Sequence, residues 1–165
     1  MQRAFALALV IATVATLARA QSFRVYSNPR FGATAEVPSD WRADPPPENG
    51  DGLVFHSPDG QASLTISGIL NIADSAEEAM KQEDQAGGDE QVTYRQRGAR
   101  SLTLSGLQGD RIFYRKSILV CRDQIWNHLS LDYPAARKTD YDALVVRVAK
   151  SFHFSGFSAQ IPNCR

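Results

Sequence analysis

The residue types able to do chemistry in this chain are scattered. Its three histidines, His56, His128 and His153, stand on separate segments, and no two share the i, i+3 or i+4 spacing that aligns metal ligands on a helix. A hydrolytic serine needs a strained turn with a histidine in reach. No G-x-S-x-G occurs, and Ser105-Gly106 and Ser155-Gly156 lack the flanking glycine. Asp44, Glu48, Asn49, Asp51 and Asp59 are hard oxygen donors, but they lack the Asp/Asn spacing of an EF-hand loop and are ordinary turn formers. Gly50-x-Gly52 precedes a strand pattern, whereas phosphate-cradling glycines open a helix. These readings predict no catalytic residue, no metal and no cofactor, and so not an enzyme.

Two cysteines, Cys121 and Cys164, complete the reactive inventory. They do not form a C-x-x-C redox pair, and in an oxidising compartment two cysteines predict one disulfide. Such a bridge ties the last residues to the middle of the domain, and closing a loop of this length is worth about 4 kcal/mol by chain entropy.

The remaining chemistry is recognition. From Arg111, alternation places Arg111, Phe113, Arg115 and Ser117 on one side of a strand, with Ile112, Tyr114 and Ile118 on the other. On the next strand Trp126 and His128 alternate with apolar neighbours in the same way. A hairpin that aligns the two makes a patch of Arg111, Phe113, Arg115, Trp126 and His128, mixing aromatics with positive charge as binding hot spots do. The sequence leaves two states open: an exposed patch, or one covered by the first helix with its arginines paired to acidic residues at the rim.

Strand patterns dominate the elements that must position these residues. Phe23 and Val25, then Phe31, Ala33, Ala35 and Val37, alternate across an Asn28-Pro29 turn. Leu53 to His56 and Ala62 to Ser67 flank Ser57-Pro58-Asp59-Gly60, a hairpin signal. Further strands are expected at Val92–Arg95, Leu102–Leu104, Ile112–Val120 and Ile125–Tyr133, and short turns favour antiparallel pairing. Ser75-Ala76-Glu77-Glu78 reads as a capping box opening a helix to about Ala86, before Gly87-Gly88. Tyr141, Leu144, Val145, Val148, Ala149 and Phe152 form the apolar stripe of a second helix, with Thr139 and Asp142 as its expected cap. The set predicts an α+β fold, a mostly antiparallel sheet of about six to eight strands packed by two main helices.

The first twenty residues have the parts of a secretory leader: Arg3, an uncharged run from Ala4 to Ala18, and Ala18-Arg19-Ala20 before a cut between Ala20 and Gln21. The run is short for a membrane span, so a single domain over 21–165, periplasmic or secreted and with no membrane span after cleavage, is expected. Losing Arg3 and Arg19 leaves 16 basic against 18 acidic residues. That balance argues against nucleic acid and against a polybasic grip on anionic lipid.

Asn28-Pro29-Arg30-Phe31-Gly32, followed by a strand ending in Pro38 and Trp41, resembles the opening hairpin of PsbP-like proteins. Asn49-Gly50-Asp51-Gly52, the Asp59-Gly60 hairpin and Ser151-Phe152 extend the resemblance, to an exported bacterial branch of unknown function, by element order over nearly the whole mature chain. The resemblance implies an α/β/α sandwich with a central antiparallel sheet and a class of proteins that bind other proteins without catalysing reactions. It carries over no binding residue, because the matched motifs are turns and core positions. The expected function is a non-enzymatic binding or assembly module that contacts another envelope protein through one sheet face. The alternative is a carrier of a small amphipathic ligand held between sheet and helix, which predicts a cavity along the Tyr141–Phe152 stripe.

Overall fold

The computed structural model describes residues 21–161, 163 and 164; the expected leader, residues 1–20, lies outside the described residues. The chain begins with β1 (Phe23–Ser27) and β2 (Ala33–Pro38), antiparallel in register Phe23 with Pro38 through Ser27 with Thr34. The turn between them is built by Asn28. Its side-chain oxygen accepts from the Phe31 N–H at 2.7 Å, and its backbone N–H donates to the Ala33 carbonyl. Gly32 closes the turn at φ +75°, where a Cβ would also lie 2.3 Å from the Phe157 carbonyl oxygen. Glycine is therefore required there twice over, by dihedral and by space.

Next come β3 (Arg42–Ala43), β4 (Gly52–His56), β5 (Ser63–Leu70), α1 (Ala76–Glu83), β6 (Glu90–Arg97), β7 (Ser101–Gln108), β8 (Arg111–Val120) and β9 (Ile125–Pro134). A short 3₁₀ turn, Ala135–Arg137, leads into α2 (Lys138–Ser151), and β10 (His153–Phe154) follows. Seven strands form one sheet in the order β3-β4-β5-β9-β8-β7-β6, every neighbouring pair antiparallel. The first hairpin does not join it. β1 and β2 make a separate three-stranded sheet with β10, which pairs His153 with Thr34. The architecture is an α+β sandwich: the small sheet and α2 on one face of the large sheet, α1 on the other.

The main core lies between the layers. Ala33, Ala35 and Val37 of β2 meet Leu64 and Ile66 of β5, Leu129 and Leu131 of β9, and Leu144 and Val148 of α2. Gly68 lets the sheets approach at their end, since a Cβ there would sit 2.3 Å from Cβ of Phe31. Two helix ends differ from the sequence reading. In α1, Ser75 Oγ accepts from the Glu78 N–H at 3.1 Å as expected, but Glu78 binds Gln82 instead of reaching back. The helix stops at Glu83, short of Ala86, with Asp84 at its C-cap. The expected Thr139/Asp142 cap does not form: α2 starts two residues earlier, with Arg137 at the N-cap and no side-chain cap, and the Asp142 carboxylate binds Lys138 at 2.7 Å, one turn back.

Candidate functional site

The strand pairing aligns the recognition residues as alternation requires. In the β8–β9 register Ser117 faces His128, Arg115 faces Ser130 and Leu119 faces Trp126, all on the α1 side of the sheet. Trp126 and His128 stack with ring centroids 6.1 Å apart, and the Arg115 guanidinium lies 5.2 Å from the Phe113 ring centroid. Arg111 is drawn away from the other four. It pairs with Asp132 and donates to the Gln61 carbonyl at the far end of β8.

Of the two states left open by sequence, the structure has the covered one. Ala79 and Met80 of α1 seat on Phe113, Trp126, Leu102, Leu104 and Leu119, a satellite cluster distinct from the main core. Phe113 is 4% and Trp126 5% exposed. The arginines around this floor keep their solvent contact while pairing with acids: Arg95 with Asp84 at 2.6 Å, Arg97 with Asp84 at 3.5 Å, and Arg115 with Glu90 at 2.7 Å.

One participant was not found by sequence reasoning. Glu83, the last residue of α1, accepts from Ser117 Oγ at 2.6 Å and lies 3.3 Å from His128 Nε2. A serine, a histidine and a carboxylate therefore meet, but in the wrong order for a nucleophile relay. There the imidazole must lie between hydroxyl and carboxylate; here the carboxylate takes both. Burial pushes the Glu83 carboxyl up. His128, Ser117 and Arg115 outweigh that and hold it below the usual glutamate range. The available signal was positional: Glu83 falls one turn after Met80 on a helix that must cross β8 and β9.

Of the acidic turn residues, the three aspartates are engaged one by one, while Glu48 faces solvent. Asp44 binds His56 at 2.9 Å, Asp51 binds Arg30 at 2.7 Å and accepts from Asn49, and Asp59 binds Ser57 and Arg137. Asp59 is held at about 2, first by the Ser57 hydroxyl, then by the Gln61 amide and Arg137. Arg137 also reaches Asp140 at 2.9 Å and covers the Tyr141 ring, so two carboxylates of this 280 Å³ hollow share one guanidinium. Cys121 and Cys164 are joined by a disulfide, Cα atoms 4.9 Å apart.

The cavity expected along the Tyr141–Phe152 stripe does not form: Tyr141, Leu144, Val148 and Phe152 all pack into the main core. The open space lies beside it. α2 crosses β2, β9 and β8. Along its flank a groove of about 290 Å³ has Leu107, Ile112, Tyr114 and Tyr133 as floor, Tyr94 at the outer strand, and Val145 with the Lys138–Asp142 pair as the helical wall.

No protein-family model matches the chain, and no curated protein matches it. Solved structures do. The cyanobacterial PsbP (CyanoP) of Synechocystis sp. PCC 6803 superposes with a TM-score of 0.58 at 18% identity, over 84% of this chain and 95% of that one. The fold is PsbP-like. The Ran-binding protein Mog1p of Saccharomyces cerevisiae has the same PsbP-like arrangement, with a TM-score of 0.55 at 11% identity over 82% of this chain and 97% of its own. At these identities the likeness is one of fold, and function has to be argued from the residues.

Proposed function

We propose that this chain is a non-enzymatic exported binding module, released by cleavage before Gln21, that contacts another protein of the cell envelope through the α1 side of its large sheet. The carrying observation is the arginine rim. Arg95, Arg97 and Arg115 surround one apolar floor, paired with Asp84 and Glu90 while α1 is seated, and they remain a third to a half exposed in their side chains. Rim charges of this kind steer encounter and select an acidic partner. The PsbP-like fold supports the class of function by analogy, one structural relative being named for binding another protein.

The test is capture by crosslinking in the native envelope. Arg95→Glu with Arg97→Glu should lower partner yield at least about tenfold, the loss being greatest at low salt, while the large sheet keeps its far-ultraviolet circular dichroism; the melting curve reads the loosening of α1, whose C-cap Asp84 both arginines bind. Unchanged capture would remove the rim from the reading. Trp126 is unsuitable for this purpose, because it is a floor residue whose loss opens the satellite cluster.

The groove beside α2 favours a second reading, carriage of a small amphipathic ligand. Tyr94 and an ion pair border a floor there that two further tyrosines share with Leu107 and Ile112. Native mass spectrometry of gently purified protein decides between the two. A small-molecule adduct supports carriage, and a protein companion supports the binding module.

A further inference from the structure

The connection from β5 to β6, Asn71 to Asp89, is 19 residues long and carries α1 across the outer face of β9, β8 and β7. Four antiparallel steps make β5 and β6 parallel, so the connection must return the length of a strand while crossing four strand spacings. That diagonal is about 33 Å, whereas 19 extended residues reach about 60 Å. The segment is thus slack: α1 can leave the sheet without pulling on either strand. Gly87 and Gly88 follow the helix, and a Cβ on Gly88 would meet nothing within 4 Å.

What α1 offers to the sheet is brief. Eight residues are too few for a helix to stand alone in water. Only Ala79 and Met80 are buried. Ala76 packs beside them, and the rest of its grip is polar: Glu83 on His128 and Ser117, and the C-cap Asp84 on Arg95 and Arg97. The helix is acidic throughout, with Glu77, Glu78 and Glu83 against a single Lys81. The surface beneath is the complement: an apolar floor of two aromatics and three leucines, edged by arginines and a histidine.

We infer that α1 is a displaceable cover, and that the face beneath it is a docking groove for an acidic amphipathic helix of the partner, which replaces α1 in kind. This rests on the binding-module reading and specifies the partner's chemistry. A cover in cis lowers the apparent affinity of any competing helix by the fraction of molecules that are open. The partner's helix must therefore present what α1 presents, two small or flexible apolar residues and a carboxylate pair at its C-terminal end, with a longer apolar stripe to win the exchange.

The probe is an amidated, fluorophore-labelled peptide of residues 75–86, read by anisotropy against the full mature chain. Met80→Asp, which unseats the cover, should raise peptide affinity at least about tenfold over the unmodified protein. Changing Glu83→Gln and Asp84→Asn in the peptide should abolish most of that gain. Equal affinities for a Met80→Asp protein that keeps its sheet circular dichroism would overturn the proposal. So would undiminished binding of the neutralised peptide. Hydrogen exchange on the unmodified protein provides a readout independent of that variant's folding. Amides of α1 should exchange at least about a hundredfold faster than those of β8 and β9, and equal protection would overturn the cover. Neither failure touches the rim reading, whose own test is partner capture by the arginine variants.

Discussion

Glu83 is the residue on which the outer layer turns. Its carboxylate is the acceptor for a buried hydroxyl and lies 3.3 Å from an imidazole nitrogen, and its pKa is lowered from the ordinary 4.5. A depressed carboxyl contributes stability that is fully present above its unfolded value and is lost as pH falls through the folded one. Glu83→Gln should therefore lower the melting temperature at pH 7 by roughly 3–9 °C, the equivalent of about 1–3 kcal/mol. The difference from the unmodified protein should shrink as the pH drops below about 4.5, and paired melts across pH 3–8 would check it. Gly32 makes the opposite kind of contribution, by having no side chain. Gly32→Ala places a methyl against the Phe157 carbonyl at a left-handed dihedral, and should cost well over 1 kcal/mol in denaturant unfolding.

At the scale of elements, the two helices hold differently. α2 is anchored by Tyr141, Leu144 and Val148 in the main core, whereas α1 rests on a cluster of its own. Met80→Ala should cost about 2–3 kcal/mol. Its spectroscopic trace should be a loss of near-ultraviolet dichroism from Trp126, with the rest of the sheet unchanged. Alternation made the large sheet legible in the sequence, and the faces of β8 and β9 with it, because a period of two assigns sides without any tertiary knowledge. The Ser75 cap was equally local. Three things were not legible. β1 and β2 alternate like the other strands, so nothing local says that they close with β10 into a second sheet. The cap of α2 failed because the 3₁₀ turn Ala135–Arg137 runs straight into the helix, so that Thr139 already lies inside its first turn. The cover over Trp126 depends on where a crossover lands, and a carboxylate such as Glu83 carries no mark of the strand it will meet.

At the scale of the molecule, the last residues act on the first. β10 pairs with β2, Ser158 Oγ donates to the Arg30 carbonyl at 2.6 Å, and the Arg30 side chain reaches Gln160. Cys164 is bonded to Cys121 in the β8–β9 turn, beside Phe31. Three consecutive non-glycine residues of that turn, Cys121, Arg122 and Asp123, have positive φ. Replacing both cysteines with serine should lower unfolding free energy by about 4 kcal/mol in denaturant titration, the loop-closure value for this separation. No helix among the described residues is long and apolar enough to cross a membrane.

The pairing of β10 with β2 also bears on how the chain is made. A chain is made amino terminus first, yet the strand that completes the opening sheet is nearly the last to appear. The β1–β2 hairpin must wait, one edge open, while more than a hundred residues pass. Its polar partners and its seat on Phe154 arrive only with the tail. Completion of the opening sheet is thus timed by the end of synthesis, and a tag fused close after Cys164 intrudes at the site where the fold is sealed.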